Sequence, residues 1–448
     1  MQVMKFGGAA MADPESIRAI VEVIRSSTGE KVVVVSAAAS VTDLLLEFIT
    51  KPRREADIPR FVAELRERHR ALLPAGADGS ALDRAFLKVE RLLYGITYTE
   101  ELTEKTRDLI LSFGERLAAE ILAAHLRAAG ADAVAVETDA AGLVTDTVHG
   151  NATALFEACA GLREGLRALV AAGKVPVVTG YFGISTAGHV TTFGRGGSDY
   201  SAAVIAHVLG APEVEVWKDV DGFLSADPRI VPTAFELPTL SYDEAAELAY
   251  FGAKVLHPRA IQPARLGGFR IRVRNFRDPA KPGTVIQENG HRVAGTLKSV
   301  SILRRLATVK VAGTGAGLKS GTLREIADAL STAGVNVYSA TTSQTVIALL
   351  IRGEDLALAR QALAGITGGV LESVAVEEDI ALVCGVGEGL HRTPGVAARV
   401  FRAVADAGVN VHLISAGASD VAYHFTVDAG DVEAAVRAIH AEFFGGAS

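Results

Sequence analysis

The first two-thirds of the chain alternates short, continuously apolar segments with longer amphipathic ones. The segments 3–6 and 31–36 are mainly apolar at successive positions, which is typical of parallel strands buried on both faces. Further buried strands are predicted at 133–136, 175–179, 214–217 and 271–273, with helical runs such as 152–172 and 200–208 between them. This alternation predicts a parallel sheet covered by helices on both faces, with ligands bound at the carboxyl ends of the strands.

Three features of the predicted helices lead to further expectations. The pair Asp13-Pro14 predicts a helix start, because aspartate caps a helix and proline suits its first position. The interval 50–110 is charged and helical in pattern, so we expect a helical excursion covering the site, with His69 on a helix surface rather than binding a ligand. The helical run 106–122 contains Gly114, and a glycine inside a helix costs ~1 kcal/mol relative to alanine. Close packing or a ligand is therefore expected at Gly114.

The last third of the chain is an internal repeat. Gly313-Thr314-Gly315, Gly321 and Gly334-Val335-Asn336-Val337 recur 74 residues later as Gly387-Glu388-Gly389, Gly395 and Gly408-Val409-Asn410-Val411. Each copy predicts a strand, a glycine turn, a helix, two strands and a second helix. Two copies of a small α/β unit favour paired modules that bury one face together. Neither copy contains a cluster of residues typical of catalysis.

The strongest candidate for a ligand site is the stretch 190–203, where a strand, a glycine turn and a helix start follow one another. Glycines permit positive φ and close approach of a ligand, and the free N–H groups of a new helix attract anions. Arg195 supplies a planar fork for a carboxylate or phosphate, while Asp199 could hold an ammonium group or orient a lysine. The stretch predicts a small anionic, zwitterionic ligand; the alternative is a tight turn with a solvated Arg195–Asp199 pair.

Three other segments carry residue types that suit the same ligand. Lys5 ends the first strand and precedes Gly7-Gly8, which places an ammonium group beside exposed N–H donors, as in a phosphate cradle. Glu115 could hold an ammonium group or be an exposed helix carboxylate. The loop 217–222, together with 227–229, could carry nucleotide contacts or cap turns.

Composition narrows the functional class. The net charge of −7 argues against a nucleic-acid partner or a polybasic membrane contact. The two cysteines, Cys159 and Cys384, match no metal or redox spacing. No continuously apolar run reaches the ~18 residues of a membrane span, and we expect no signal peptide. These features predict a cytoplasmic globular protein that supplies no side-chain cluster for a metal.

Taken in order, the motifs resemble those of the aspartokinases, over nearly the whole chain. The likeness rests on Lys5-Phe6-Gly7-Gly8, Ser112-Phe113-Gly114-Glu115, Gly194 to Ser201, Asp219-Val220-Asp221-Gly222 with Ala226-Asp227-Pro228-Arg229, and Gly252 to Pro258. The glycine–arginine segment, Ser-Phe-Gly-Glu and the repeat favour aspartokinase over acetylglutamate, carbamate or uridylate kinases. The resemblance implies an α/β fold, a three-layer α/β/α sandwich of the amino acid kinase type with two C-terminal α+β domains of the ACT type. The expected domains are 1–288 (catalytic), 299–372 (first ACT-like) and 377–446 (second ACT-like, which could share a strand with 299–305).

The resemblance also implies roles for individual side chains. Lys5 and Asp199 would be catalytic, with Asp199 also orienting Lys5. Arg195 would grip a carboxylate of aspartate, while Glu115 and Asp199 would face its ammonium group. The substrate site would comprise Ala37, Thr42, Glu115, Arg195, Ser198 and Asp199, and the nucleotide site Lys5, Gly7, Gly8, Ser36, Lys218, Asp219, Arg229 and Lys254.

The implied activity is transfer of the ATP γ-phosphoryl group to the β-carboxylate of L-aspartate, the first step towards lysine, threonine and methionine. That carboxylate has a reference pKa of ~3.9 and is ionised at pH 7, so no general base is required. ATP and Mg²⁺ are implied, with the metal bound mainly through the nucleotide phosphates. An amino-acid effector at the ACT modules and a homodimer or higher homo-oligomer are implied as well. Two alternatives stay open: a non-catalytic, kinase-like amino-acid sensor, and a related kinase for another amino-acid carboxylate.

Three departures from the family pattern bear on activity and regulation. Ala9 and Ala10 replace the usual Thr-Ser pair and remove two hydroxyls that could bind phosphate or substrate. Lys218 stands where many relatives have threonine, a variation also found in plant-type members. Tyr338 and Gln344 stand where lysine-sensing relatives tend to carry acidic residues, and a neutral pair would pair poorly with an effector's ammonium group. The Gln-Asn pair of threonine-sensing relatives is also absent.

Overall fold

A computed structural model describes residues 1–52, 54–253, 255–291, 296–366 and 371–445 of the chain. It divides into two compact units. The first comprises Met1–Phe223, Glu236–Ala249 and Lys254–Gly290, and the second Leu224–Phe235, Tyr250–Ala253 and His291–Ser448. Two short segments from the middle of the chain therefore group with the second unit, and the expected continuous range 1–288 is interrupted twice in space. The exact domain boundaries stay a prediction.

The first unit is built on a large, mostly parallel sheet and a small one. The strands are β1 (Gln2–Phe6), β2 (Lys31–Val35), β3 (Ala133–Val136), β4 (Val144–Thr145), β5 (Val175–Thr179), β6 (Phe182–Ser185), β7 (Val190–Thr192), β8 (Glu213–Lys218), β9 (Thr239–Ser241), β10 (Arg270–Asn275) and β11 (Thr284–Gln287). The large sheet has the order β3-β5-β2-β1-β8-β10-β11-β9 and is parallel except for the β10–β11 pair. The small sheet has the order β4-β6-β7. The predicted segments all form strands, and most of them are buried as expected. β3 is the exception, because it lies at the edge of the sheet and only its Ala133 is buried.

The first unit has helices on both faces of the large sheet and further helices that pack on those or on the small sheet. They are α1 (Pro14–Ser26), α2 (Val41–Thr50), α3 (Asp57–Arg70), α4 (Ser80–Tyr98), α5 (Glu104–Leu111), α6 (Phe113–Ala128), α7 (Thr138–Ala141), α8 (Ala160–Ala171), α9 (Gly197–Leu209), α10 (Tyr242–Tyr250) and α11 (Ile261–Gly267). Met4 and Phe6 of β1 lie in one core with the apolar faces of α1 and α6. Because side chains alternate along a strand, Lys5 points to the opposite face, where α9 packs against β1. The predicted three-layer α/β/α arrangement is confirmed.

The predicted helix start at Asp13 is confirmed, whereas three helical expectations need correction. Asp13 caps α1, its carboxylate accepting a hydrogen bond of 2.8 Å from the Ser16 backbone N–H. The predicted run 106–122 is two helices that meet at Ser112, so Gly114 lies in the first turn of α6. Only 160–171 of the run 152–172 is α-helical, because the preceding residues form a short 3₁₀ turn.

The third correction concerns the interval 50–110. α3 and α4 pack on each other and α4 packs on α6, while α5 contacts α2 and β7. His69 is not on a helix surface: it is fully buried, its Nδ1 lies 2.7 Å from the Leu65 carbonyl oxygen, and its ring meets the edge of Phe86. The imidazole is therefore a core side chain of the α3–α4 pair.

The second unit contains the repeat as one continuous antiparallel sheet. Its strands are β12 (Ser299–Ala312), β13 (Ser339–Thr342), β14 (Val346–Arg352), β15 (Ser373–Val386), β16 (Leu413–Ala416) and β17 (Ala422–Asp428), in the order β13-β14-β12-β15-β17-β16. Its helices are α12 (Thr322–Thr332), α13 (Leu356–Ala364), α14 (Val396–Asp406) and α15 (Val432–Phe444). The long strands β12 and β15 pair along their length, so residues 299–303 lie beside 382–386 of the second copy. No helix in the described part of the chain is long and apolar enough to cross a membrane.

Candidate active site

The carboxyl ends of three adjacent strands bring the first group of candidate residues together. In the parallel trio β2-β1-β8, these ends lead into Ser36, Gly7-Gly8 and the Lys218-Asp219 turn. Backbone hydrogen bonds join the turns: Ser36 N–H donates to Phe6 O at 3.1 Å, and Gly7 N–H to Trp217 O at 3.3 Å. Because parallel strands end at the same edge, residues more than 200 positions apart in the sequence share one site.

The glycine turn between β7 and α9 has the geometry that the sequence predicts. Gly194 and Gly196 have φ of +75° and +69°, and α9 begins at the next residue. A Cβ on Gly196 would lie 2.1 Å from Cγ of His257, so a side chain is excluded by contact as well as by conformation. Ser198 and Asp199 are buried in the first turn of α9, where the Gly197 and Asp199 N–H groups donate to the carbonyl oxygens of Gly194 and Gly196, at 3.0 Å each.

Asp199 joins two lysines. Its Oδ1 lies 2.6 Å from Lys5 Nζ, and its Oδ2 accepts a hydrogen bond of 3.0 Å from Lys218 Nζ. Burial by itself would raise the pKa of Asp199, but the charges of Lys218 and Lys5 hold that pKa well below its ordinary value. Burial lowers the pKa of Lys5, against the opposing attraction of Asp199. The sequence suggested that Asp199 orients Lys5; the engagement of both carboxylate oxygens by lysines appears only in the fold.

Glu115 approaches the same region from the first turn of α6. The glycine before it permits this approach, since a Cβ on Gly114 would lie 2.7 Å from the Ala37 Cβ and 3.6 Å from the Thr42 Oγ1. Close packing thus accounts for Gly114. Burial raises the pKa of Glu115 to about 8, although hydrogen bonding from the Ala37 backbone and Ser198 and the charge of Lys5 oppose that shift. Its Oε2 has no hydrogen-bond partner among the described residues. The exposed-carboxylate alternative for Glu115 is therefore wrong.

The remaining predicted site residues differ in where they lie. Arg195 is exposed in the glycine turn, with no ion pair seen among the described residues, and Asp219 is exposed just beyond β8. Arg229 belongs to the second unit, where its Nη2 lies 2.7 Å from Asp227 Oδ2. Lys254 lies outside the described residues.

The alanines that follow Gly8 pack inward. Residues 8–11 form a 3₁₀ turn, in which Ala10 is fully buried in the apolar core under α1 and Ala9 packs against that core. A hydroxyl at position 10 would therefore stand in apolar surroundings. Phosphate contacts in this turn must come from backbone N–H groups and neighbouring cations.

Sequence reasoning missed Asp108, which holds the glycine turn from behind. This buried carboxylate accepts four hydrogen bonds: Oδ2 from Thr192 N–H and Gly150 N–H at 3.0 Å each, Oδ1 from Thr192 Oγ1 at 2.7 Å, and Oδ2 at 2.9 Å from His149 Nδ1. Thr192 is the last residue of β7, so Asp108 sets the point at which the strand gives way to the turn. An aspartate within a charged helical stretch carries no local signal of such a role.

Arg259 was missed for the same reason. Its Nη1 donates to the Phe193 carbonyl oxygen at 2.8 Å and its Nη2 to the Ala152 carbonyl oxygen at 2.6 Å. Its guanidinium also lies over the Tyr200 ring, 4.6 Å from the centroid. Arg259 thus ties the glycine turn to α9. Its position just after the segment Gly252 to Pro258, one of the motifs that carry the family resemblance, was the one available signal.

The assembled groups can bind a ligand that carries both anionic and cationic centres. Two ammonium groups and the positive end of the α9 dipole attract an anion, and the unpartnered Glu115 oxygen can accept a hydrogen bond from an ammonium group. Among the described residues, no group of three or more His, Cys, Asp or Glu side chains could hold a metal ion.

Comparisons with known proteins find related families for both the first and the last part of the chain. The sequence profile of the amino acid kinase family matches residues 1–275, and that of the ACT domain matches residues 383–443. Aspartokinase 1, chloroplastic, of Arabidopsis thaliana is 34% identical over 456 residues, covering 99% of this chain and 80% of that protein. The structure of E. coli aspartokinase III in complex with aspartate and ADP aligns with a TM-score of 0.85 at 27% identity, covering 99% of this chain and 100% of that one. The structure of the same enzyme with lysine and aspartate gives a TM-score of 0.83 at 27% identity, covering 99% of each chain.

Proposed function

The chain belongs to the aspartokinases within the amino acid kinase family, and we propose that it phosphorylates the β-carboxylate of L-aspartate with ATP, giving 4-phospho-L-aspartate. This is the first step towards lysine, threonine and methionine. The observation that carries the proposal is the Lys5–Asp199 pair, 2.6 Å apart at the sheet edge, beside the buried Glu115 and the start of α9.

The substrate side of the site would use Arg195 and Glu115. Arg195 is exposed and can turn its guanidinium to a carboxylate of aspartate, forming paired charge-assisted hydrogen bonds. Asp199 is paired with two lysines, through an ion pair at Oδ1 and a hydrogen bond at Oδ2, whereas Glu115 Oε2 has no such cationic neighbour. The substrate ammonium group is therefore left to Glu115. Ala37 and Thr42 lie beside Gly114, and Ser198 hydrogen-bonds to Glu115, so these three residues would line the same region.

The reaction needs no proton transfer. The β-carboxylate oxygen forms the new bond to the γ-phosphorus, the bond from that phosphorus to the bridging oxygen of ADP breaks, and ADP departs with the electron pair. What the protein must supply is alignment of two anions and stabilisation of charge on the phosphoryl group in transfer. These contacts would come from Lys5, the backbone N–H group of Gly8, Ser36 and the positive end of the α9 dipole.

Magnesium would fit this site as an ion bound mainly through the nucleotide phosphates. Lysines lie against both oxygens of Asp199, and burial raises the pKa of Glu115 to about 8, so both carboxyl groups are poor candidates for metal ligands. Asp219, exposed beyond β8, is the carboxylate that remains available to the ion. When bound, Mg²⁺ supplies neutralisation of phosphate charge.

We further infer that the second unit binds an amino-acid effector and mediates a homodimer. The continuous sheet formed by the two repeat copies supports this inference, as does the lysine complex of E. coli aspartokinase III. The hydroxyl oxygen of Tyr338 already accepts a 2.9 Å hydrogen bond from Arg352 Nε. The side chain of Gln344 is exposed and neutral. Neither side chain carries a charge for a lysine ammonium group. A cytoplasmic location also stays a prediction.

Turnover with L-aspartate tests the proposed function. ADP formation is measured in a coupled assay with Mg²⁺–ATP, and the acyl phosphate is trapped with hydroxylamine. L-Glutamate and N-acetyl-L-glutamate serve as alternative acceptors, and lysine, threonine and their mixture are tested as effectors. We expect both signals with L-aspartate alone among the three acceptors. If neither ADP formation nor a trapped acyl phosphate were detected with any acceptor, the protein would be better described as a non-catalytic sensor.

A further inference from the structure

Lys281 bridges two parts of the first unit that are well separated in the sequence. Its Nζ donates hydrogen bonds to Asp221 Oδ2 at 2.7 Å and to Glu236 Oε1 at 3.1 Å. Asp221 lies in the turn 219–222, directly after β8, whereas Glu236 follows the segment Leu224–Phe235. The hydrogen bonds to Asp221 and Glu236 raise the pKa of Lys281 above its ordinary value, so its ammonium group is charged at neutral pH.

The segment Leu224–Phe235, which lies between these two carboxylates in the sequence, belongs to the second unit. Three of its apolar side chains pack in a core of that unit: Ala226, Ile230 and Val231. The chain thus leaves the first unit after Phe223 and returns to it at Glu236. By binding a carboxylate on each side of the segment, Lys281 ties the outgoing end of the segment to the returning end.

Thr284 makes a second bridge between the same two ends. It is fully buried, and its Oγ1 accepts a hydrogen bond of 2.8 Å from the Phe223 N–H and donates one of 2.7 Å to the Leu237 carbonyl oxygen. Gly222 has a φ of +128°, and a Cβ on it would lie 2.5 Å from Thr284 Oγ1, so a side chain is excluded there. Together Lys281 and Thr284 form a clasp at the base of the segment.

The clasp fixes the turn 219–222, which borders the candidate active site. The turn begins after Lys218, whose ammonium group hydrogen-bonds into that site. Asn275 lies opposite Lys218 on β10, and its Nδ2 donates to the other oxygen of Asp221 at 2.7 Å. Both oxygens of Asp221 are therefore engaged by the protein, whereas Asp219 at the start of the turn is exposed. Asp221 thus anchors the turn and leaves Asp219 to face a ligand.

We propose that Lys281 is a positioning residue, which holds the turn 219–222 in its nucleotide-binding conformation by pairing with Asp221 and Glu236 together. The proposal deepens the proposed kinase function and rests on it for the nucleotide as the ligand of this turn. Lys281 itself contacts no substrate in this role. A purely structural role for Lys281 predicts a loss of stability without a selective loss of nucleotide affinity.

Calorimetry with ADP and initial rates separate these two roles. Lys281→Met should weaken ADP binding about fivefold and raise KM for ATP by a similar factor, because two half-exposed ion pairs are lost together. KM for L-aspartate should change less than about twofold, since the contacts proposed for that substrate are made by other elements. Lys281→Arg should retain most of the ADP affinity, because a guanidinium group can also pair with two carboxylates.

Lys174→Met is the matched control. The Lys174 side chain is 40% exposed against 39% for Lys281, and its Nζ also lies near a carboxylate, 3.9 Å from Asp132 Oδ2. Lys174 precedes β5, so it lies at the amino end of a parallel strand, away from the edge that carries the turn 219–222. This variant should bind ADP as wild type does, and an equal loss in both variants would overturn the proposal.

Glu236 provides an independent test of the bridge. Glu236→Gln should weaken ADP binding about twofold or more, although Glu236 is not part of the turn. Because Glu236 is expected to act through Lys281, adding Glu236→Gln to Lys281→Met should cause no further loss. Losses that add in the double variant would mean that the two residues act independently, which would overturn the bridge.

Amide hydrogen exchange follows the turn without any ligand, which separates this proposal from the kinase function. Lys281→Met should exchange faster than wild type at residues 219–223 and 236–237, with little change elsewhere in the first unit. Unchanged exchange at these residues, or unchanged ADP affinity, would overturn the role of Lys281 whatever the kinase assay shows. Faster exchange and weaker ADP binding in a protein that phosphorylates no acceptor would refute the kinase function and support the positioning role. Circular dichroism checks folding, and Lys281→Gln serves the same comparison if the methionine variant does not fold.

Discussion

Two helical glycines of the first unit should respond to alanine in opposite ways. Gly114 lies in the first turn of α6, and an added Cβ would stand 2.7 Å from the Ala37 Cβ and 3.5 Å from the Val41 Cγ1. Gly95 lies inside α4, and an added Cβ would meet nothing within 4 Å. Both substitutions change helix propensity in the same direction, so the comparison isolates the contact with Ala37.

The magnitudes follow from propensity and overpacking. Alanine is favoured over glycine in a helix by ~1 kcal/mol, so Gly95→Ala should stabilise the first unit by about that amount. Overpacking costs typically about 1–3 kcal/mol, so Gly114→Ala should be no more stable than wild type and up to about 2 kcal/mol less stable. The difference between the two variants, about 1–3 kcal/mol, is the cost of the contact itself. The backbone of Ala37 cannot yield without moving its hydrogen bond to Glu115.

Urea unfolding followed by circular dichroism measures the two stabilities, and initial rates give the kinetic effect. Because Ala37 and Glu115 flank the proposed substrate site, Gly114→Ala should raise KM for L-aspartate more than it lowers kcat, while Gly95→Ala leaves both unchanged. The reasoning would be refuted if both variants gained the same stability and kept the wild-type KM. That result would mean that the α6–Ala37 contact relaxes without cost.

Three further predictions concern individual side chains. Asp108→Ala should destabilise the first unit by at least about 2 kcal/mol, since the buried Thr192 N–H and the half-buried Gly150 N–H lose their acceptor, each loss costing about 1–3 kcal/mol. Asp108→Asn keeps one acceptor oxygen, and a denaturation midpoint as low as that of the alanine variant would contradict this account. Burial raises the pKa of Glu115 from 4.5 to about 8, so the folded protein keeps a proton that the unfolded chain releases, and stability should fall as pH rises across that window. Glu115→Gln should flatten this slope in urea titrations at several pH values; an unchanged slope would assign it to other groups. Lys5→Ala should lose most turnover yet keep the wild-type circular dichroism spectrum, because Lys218 still pairs with Asp199; a retained kcat would remove Lys5 from the mechanism.

Features that depend on interactions between residues close in the sequence could be predicted from the sequence. The buried strands, the Asp13 cap and the positive-φ glycines at 194 and 196 follow from local hydrophobic periodicity and backbone sterics. The motifs at Lys5 and at Asp199 could be predicted to meet, because strand–helix alternation places both at the carboxyl edge of a parallel sheet. The repeat of glycines, 74 residues apart, was likewise sufficient to predict two similar modules.

What the sequence by itself determined is therefore the set of elements and the edge at which their ends gather, since both depend on interactions along a few consecutive residues. Tertiary structure alone decided the burial of His69, the four hydrogen bonds accepted by Asp108 and the sharing of Asp199 between Lys5 and Lys218. It also decided that burial raises the pKa of Glu115. Each of these properties depends on residues that are distant in the sequence and that exclude water from a side chain in the folded protein. The spacing of residues along the chain does not predict which residues these will be.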